Sequence, residues 1–180
     1  MRKVLYILGQ LSDGDVEWLA DTGTRQQIPA GQVLIQEGSS IDSMFILLGG
    51  QMSASLAKFG EVARLGTGEI MGEMSLIDSR PPSASITAIE NSVVLALSQD
   101  TIRDKLDSDV GFAARFYKAI AIFLSDRMRG TVQTMGYGDD GASLDDDVEL
   151  EGELDLNVLD NVHLAGSRFD RMLKKLMGTG

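Results

Sequence analysis

Cysteine is absent from this sequence of 180 residues, and histidine occurs once. The lack of cysteine excludes disulfides, thiolate nucleophiles and zinc–thiolate sites, and it favours the reducing environment of the cytoplasm. The single histidine, His163, cannot form a two-histidine metal site within one chain. We therefore expect a cytoplasmic protein with no metal site and no catalytic residue.

Basic residues and long apolar runs are also scarce. The chain has 16 Lys and Arg against 27 Asp and Glu, a formal net charge of −11, which argues against nucleic-acid binding because phosphate contacts need clustered basic side chains. The longest uncharged apolar stretch, 119–124, is too short to span a bilayer. Residues 1–15 lack a small-residue cleavage site, so we interpret them as an N-terminal helix and not a signal peptide.

Short runs of β-forming residues, separated by Gly and Pro, begin at Arg25. Their spacing of roughly 8–12 residues is typical of a sandwich or closed barrel and not of βαβ units. The predicted strands lie within 27–31, 33–35, 44–48, 52–56, 62–65, 85–88 and 93–97.

Helices flank this β-rich region. Ser12 and the acids after it predict a helix start that ends near 21–23, and helix returns at 98–100. A long amphipathic helix is predicted over 111–135. Its phenylalanines favour a homodimer through this helix; packing on its own barrel alone is the alternative. The apolar positions are Phe112, Phe116, Ile120, Phe123, Leu124, Met128, Val132 and Met135.

The C-terminal part divides into two further segments after a first domain of 1–135. Residues 136–157 form an acidic linker, and residues 158–180 regain helical periodicity with a basic polar side. Alternating apolar residues within 148–158 indicate either an edge strand or an acidic linker with incidental leucines. We expect the last helix to bind a protein partner or to dock on the chain's own acidic run.

One stretch carries the chemistry of a small binding site. Gly72 allows close backbone approach, and Glu73 offers two acceptors to ligand hydroxyls. The N–H groups of Met74 and Ser75 would form an anion nest, completed by Ser83 and the Ala84 N–H. These residues indicate a site for a hydroxylated anion. The alternative is a strand–turn–strand corner with a surface glutamate.

The stretch 67–88 resembles the phosphate-binding cassette of cyclic nucleotide-binding domains, as in the catabolite activator and protein kinase A regulatory subunits. Residues 11–20 resemble the family's first helix, 28–38 its first hairpin, and 97–132 its last two helices. About three quarters of the chain is covered in the right order. The resemblance implies a mainly β fold with flanking helices, in which a jelly-roll β-barrel precedes a long C-terminal helix.

The resemblance also implies roles for individual residues. Glu73 would accept from the ribose 2′-hydroxyl of cAMP or cGMP, and Gly72 would allow the close approach. Val62 and Leu65 could line the base pocket. The long helix, between 116 and 131, would cover the base as a lid. The cyclic phosphate would contact the N–H groups of Met74 and Ser75 and the Ser83 side chain, beside Ala84.

Pro82 is the main departure from the family pattern, because it stands where the phosphate-pairing arginine falls. Proline neither donates a hydrogen bond nor carries charge. A charge-assisted hydrogen bond contributes ~1.5–3 kcal/mol, so its loss would weaken binding by roughly tenfold to a hundredfold. Arg80 lies two residues away and could reach in, although the two prolines favour a solvent-facing side chain.

We therefore expect a non-enzymatic regulatory protein in which cyclic-nucleotide occupancy is coupled to the long helix and to partner binding by the tail. A degenerate, ligand-free domain serving as a dimerising adaptor is the alternative, supported by Pro82. A metal-dependent cupin enzyme on a similar barrel would need clustered histidines. DNA binding is not expected, because a short acidic segment follows the long helix where the activator branch has a helix-turn-helix.

Overall fold

A computed structural model describes residues 4–136 and 156–178, with side chains for 7–129 and 164–178. Within these ranges the helices are α1 Val4–Gln10, α2 Asp13–Thr22, α3 Glu73–Asp78, α4 Gln99–Ser108, α5 Val110–Gly136 and α6 Leu156–Met177. The strands are β1 Thr24–Ile28, β2 Val33–Ile35, β3 Ser43–Gly49, β4 Met52–Leu56, β5 Gly60–Leu65, β6 Ile70–Met71, β7 Ser85–Ala88 and β8 Ser92–Ser98.

The strands form two antiparallel sheets of four strands, in the orders β1-β8-β3-β6 and β2-β7-β4-β5. The inner faces of the two sheets share one buried apolar cluster, as expected of a sandwich-like barrel. The predicted fold, a jelly-roll barrel with flanking helices and a long helix after it, is confirmed. The buried members of this barrel cluster are Ile28, Ile35, Phe45, Leu47, Met52, Ala54, Leu65, Met71, Ile86, Ala88, Val94 and Ala96.

Strand β3 is buried on both faces. Phe45 and Leu47 point into the barrel cluster, whereas Met44, Ile46 and Leu48 belong to a second cluster that includes the helices. Successive side chains of a strand point to opposite faces, so a strand covered on both sides needs a continuous apolar run. This explains the uninterrupted run over 44–48, and it places the helical layer directly against the outer face of this sheet.

Helix α5 buries its phenylalanines inside the chain. Phe112, Phe116 and Phe123 are completely buried in the cluster shared with α1 and α6. Trp18 of α2 packs edge-on against Phe112, with ring centroids 5.3 Å apart. The expectation that these phenylalanines form an interface with a second copy is therefore wrong, because periodicity shows that a face is covered but not by what.

Asp15 ties α2 to α5. Its carboxylate accepts hydrogen bonds from Nε and Nη2 of Arg115, at 2.6 and 3.0 Å, and from the N–H of Ser12 in a capping box. Burial raises the pKa of Asp15, but the hydrogen bonds from Arg115 and Ser12 outweigh burial and lower that pKa to about 2. The carboxylate therefore stays charged, as a fixed anchor for α5 on α2.

Helix α6 docks on the chain's own N-terminal helices. Its residues Ala165, Phe169 and Met172 are buried in the cluster that contains Ile7 and Leu8 of α1. The helix begins at Leu156, two residues before the predicted start, so Leu156 and Val158 are helical and not part of a strand. The rest of the predicted acidic linker, 137–155, lies outside the described residues.

Ion pairs flank the apolar contact between α6 and α2. Arg168 bonds Asp13 at 2.6 Å and donates to the carbonyl of Leu8 at 2.9 Å. Lys175 pairs with Asp21. Because these acids belong to α2, the described ion pairs of α6 dock it on the N-terminal helices; its predicted docking on the acidic run falls on residues outside those described. Among the described helices, none is long and apolar enough to cross a membrane.

Replacing Phe169 with Ala should detach α6 while the barrel stays folded. Truncating a buried Phe costs about 3–5 kcal/mol, whereas each exposed ion pair contributes about 1 kcal/mol or less. We expect faster amide hydrogen exchange in α6 and α1 and unchanged exchange in β3 and β8, measured by mass spectrometry. Lys174→Ala, at an exposed position of the same helix, is the control. Unchanged protection of α6 in Phe169→Ala would contradict this account of its docking.

Candidate ligand-binding site

Strand β3 positions the cassette through β6. Ile70 and Met71 pair with Ile46 and Phe45, and the Leu47 N–H donates to the Glu69 carbonyl at 2.9 Å. These bonds hold the approach to the cassette against a strand that is buried on both faces. The two-residue strand β6 was not predicted, because two residues are too few to show a periodicity.

Gly72 makes the turn from β6 into α3. Its φ of 81° lies in the left-handed region, and an added Cβ would lie 2.9 Å from both the Ser43 carbonyl oxygen and Cδ1 of Ile41. Only glycine fits such a position without strain. In this structure the backbone that approaches Gly72 is that of β3, and the close approach of a ligand stays a prediction.

Glu73, the first residue of α3, is buried with only 3% of its side chain exposed. The alternative of a surface glutamate is therefore wrong. Its Oε1 accepts a hydrogen bond of 2.8 Å from Nη1 of Arg127, on α5. The Arg127 side chain is 36% exposed, and its guanidinium lies over the ring of Phe123, 5.7 Å from its centroid. A buried carboxylate needs such a partner, because an unpaired buried charge is strongly unfavourable.

The other residues of the first half are divided between core and surface. Met74 is exposed, whereas Ser75 is buried. The Ser75 carbonyl accepts from the N–H of Ser79, which ends α3 in the left-handed region at φ 58°. The first exposed side chain of α3, that of Met74, therefore follows directly after the buried glutamate.

The second half of the cassette is fixed to the loop after β2. The Pro82 carbonyl accepts from the N–H of Gly38 at 2.9 Å, and Ser85 Oγ accepts from the N–H of Glu37 at 3.0 Å. Ser83 is exposed, and Ala84 is half-buried. The segment is thus held by the backbone at Pro82 and by the side-chain hydroxyl of Ser85.

Arg80 does not take the place of the missing arginine. Its side chain is 85% exposed and lies 3.9 Å from the carboxylate of Asp78 on the same loop. The expectation that Arg80 points to solvent is confirmed.

The two residues predicted to line the base pocket differ in environment. Leu65 is buried in the barrel cluster, whereas Val62, on the same strand β5, is 42% exposed. Strand β5 lies at the edge of its sheet. Their contact with a base stays a prediction.

Arg127 was not singled out from the sequence. The family resemblance places a lid between 116 and 131, a range that includes Arg127, but a helical arginine carries no local signal for one particular carboxylate. The pair spans 54 positions of the chain, so only the tertiary placement of α5 reveals it. Among the described residues, no group of three or more His, Cys, Asp and Glu side chains is placed to hold a metal ion.

Three features of this structure point to the class of cyclic nucleotide-binding domains. They are a two-sheet jelly roll, a glycine-led turn with a buried glutamate, and a long helix that contacts this glutamate. Residues 25–109 match the sequence profile of the family described as Cyclic nucleotide-binding domain. Over these residues the chain is therefore similar to the cyclic nucleotide-binding domains.

Individual relatives agree with this assignment. A cyclic nucleotide-binding domain from Methylobacillus flagellatus has the same fold, with a TM-score of 0.67 and 24% identity; the match covers 78% of this chain and 84% of that one. A cAMP-dependent protein kinase regulatory subunit of Yarrowia lipolytica is 33% identical over 101 residues, 54% of this chain and 26% of the relative. An uncharacterized NTE family protein of Mycobacterium tuberculosis is 28% identical over 118 residues, 66% of this chain. The match spans 20% of that mycobacterial protein's length.

Two glycines with nearly the same backbone angle allow a direct test of the close approach. Gly31 has φ 82° and open space at its Cβ position, whereas Gly72 has φ 81° and no room. We expect Gly31→Ala to cost about 1–2 kcal/mol, the strain of a left-handed residue. Gly72→Ala should cost more, because the added methyl collides with the backbone of β3. Urea unfolding of both variants measures the difference, and equal costs would show that the contact with Ser43 is not restrictive.

Proposed function

We propose that this chain is a regulatory module that binds a cyclic nucleotide, cAMP or cGMP, in its barrel. Glu73 accepts a hydrogen bond from the ribose 2′-hydroxyl, and occupancy of the site is coupled to the position of α5. The match of residues 25–109 to the family and the similarity to a kinase regulatory subunit named for its cAMP dependence support the ligand class.

The burial of Glu73 beneath Arg127 is the observation that carries this proposal. The carboxylate expected to receive the ribose hydroxyl is the same group that α5 contacts. A ligand that bonds Glu73 therefore changes the surroundings of the contact that ties α5 to the cassette. A difference in ligand affinity between two positions of α5 would shift their populations.

The phosphate would contact backbone N–H groups at the start of α3. Met74 and Ser75 follow the left-handed turn at Gly72, and Ser83 with Ala84 would approach from the loop before β7. Val62 and Leu65 would border the base. Without an arginine at position 82, we expect weaker binding than a complete cassette provides.

A homodimer remains part of the proposal, through exposed positions of α5 and not through its buried phenylalanines. One side of α5 carries a row of exposed apolar residues. In chain order they are Val110, Ala114, Tyr117, Ala121 and Met128, of which Met128 is 69% exposed. The steps of four and three residues are those of a coiled-coil stripe. A second copy could cover this stripe without disturbing the buried phenylalanines.

We also propose that the tail binds a protein partner and that the module works in the cytoplasm, in keeping with the absence of cysteine. The apolar side of α6 is buried in the cluster it shares with α1 and α2. A partner could reach that side only after α6 leaves its present position.

A ligand-free adaptor is the second candidate function, and Pro82 is the observation that favours it. In that case the barrel would act only as a scaffold for a dimer and for the tail. Calorimetry with cyclic nucleotides separates the two candidates.

Isothermal titration calorimetry with cAMP, cGMP and a cyclic dinucleotide tests the sensor function. We expect saturable binding of one of them, weakened roughly tenfold to a hundredfold by Glu73→Gln, because a hydrogen bond to a charged group contributes about 1.5–3 kcal/mol. The 2′-deoxy form of the same ligand should bind weakly to the wild-type protein and be insensitive to Glu73→Gln.

Glu61→Gln, at an exposed position on β5, is the matched control and should leave the affinity unchanged. Circular dichroism and thermal unfolding verify that both variants are folded. If no cyclic nucleotide binds to the wild-type protein, the sensor function is wrong and the adaptor remains; binding recovered in Pro82→Arg would then show that the pocket is intact but its ligand function is lost.

Met128→Glu tests the dimer. If the exposed stripe pairs with a second copy, an acid in the stripe should raise the dimer dissociation constant at least tenfold in sedimentation equilibrium. Arg129→Glu places the same charge one residue away and should have a much smaller effect. A wild-type protein that stays monomeric at high concentration would contradict the dimer.

A further inference from the structure

The phosphate of a bound cyclic nucleotide would lie beside a buried carboxylate, and the cassette loop supplies no cation. Position 82 holds a proline whose carbonyl is already bonded to the N–H of Gly38. Arg80 extends into solvent next to Asp78. An anion placed near the charged Glu73 would be repelled unless a positive group balances the two.

Arg127 is a cation that the fold brings to the cassette. Its Nη1 lies 2.8 Å from Oε1 of Glu73, and Met74 and Ser75, whose N–H groups would hold the phosphate, are the next two residues of the chain. The guanidinium is partly exposed and rests on the ring of Phe123, which is completely buried. This support fixes the side chain at the boundary between the buried carboxylate and the surface of the cassette.

Guanidinium chemistry suits a double contact of this kind. A guanidinium carries five N–H donors in a rigid plane, so one group can bond a carboxylate and a phosphate at the same time. Charge-assisted bonds to phosphate are about twice as strong as neutral ones. An arginine that reaches the cassette from α5 can therefore do the work of one at position 82.

We propose that Arg127 is the phosphate-binding cation of this chain, and that α5 supplies the charge that Pro82 removes from the cassette. This inference rests on the proposed function, since it assigns a partner to the phosphate of the same ligand. In this arrangement the phosphate contact and the lid belong to one helix. A ligand therefore binds tightly only when α5 lies against the cassette.

Affinities measured by calorimetry in four proteins test the assignment: wild type, Arg127→Gln, Pro82→Arg and the double variant. We expect Arg127→Gln to weaken cAMP or cGMP binding about tenfold or more in the wild-type background. In the Pro82→Arg background, Arg127→Gln should weaken the binding of the same ligand much less, because the cassette then provides its own cation. This non-additivity is specific to a shared phosphate role.

Arg129→Gln, an exposed position two residues further along α5, is the control and should not change the affinity. Equal costs of Arg127→Gln in both backgrounds would mean that Arg127 only positions Glu73, and the inference would be wrong. Unchanged or tighter binding by Arg127→Gln would also overturn it, since Arg127 would then merely compete with the ribose for Glu73.

The two proposals fail in different ways. If the wild-type protein binds nothing and Pro82→Arg binds, the pocket is intact and Arg127 does not replace the missing arginine. If neither protein binds, the proposed function is wrong and the phosphate role of Arg127 falls with it.

Discussion

The burial of β3 on both faces is the constraint on which the rest of the structure depends. One face of the strand closes the barrel, and the other is the floor of the helical layer. The same strand bonds β6, which leads directly into the turn at Gly72, and the Gln99 N–H at the start of α4 donates to Asp42 beside it. The cassette and the helices are therefore both held against one strand, so neither can be displaced far without loss of apolar burial.

Helix α5 buries a row of phenylalanines and also provides the partner of the buried Glu73. Its phenylalanine face must be covered, and α1, α2 and α6 cover it. Further along the helix, Glu73 must have a partner because its carboxylate is buried, and Arg127 provides one while resting on Phe123. Phe123 belongs to the cluster that contains Phe169 of α6. The tail helix and the helix that contacts the cassette thus contribute to the same buried cluster.

The strands and the cassette were largely predictable because their signals are local. Runs of β-formers between turn residues located seven strands, and the pair Gly72-Glu73 located the cassette through its resemblance to a family, although the burial of Glu73 was not predicted. The partners of these residues were not predictable. Asp15 meets Arg115 across 100 positions of sequence. Helical periodicity marked Phe112 as covered, but it could not distinguish a second copy of the chain from α1 and α6.

If the cation that binds the phosphate lies on α5 and not on a barrel loop, the measured ligand affinity also depends on the position of α5. An arginine at position 82 would be present in every molecule, whereas Arg127 is available only while α5 lies against the cassette. The apparent dissociation constant is then the intrinsic one divided by the fraction of molecules in that state. The Asp15–Arg115 bonds hold α5 on α2, and α6 packs on α1, which in turn contacts α5, so both sets of contacts would raise this fraction although they lie outside the pocket. A partner that removed α6 would in consequence weaken ligand binding, and ligand binding would oppose that partner to the same extent.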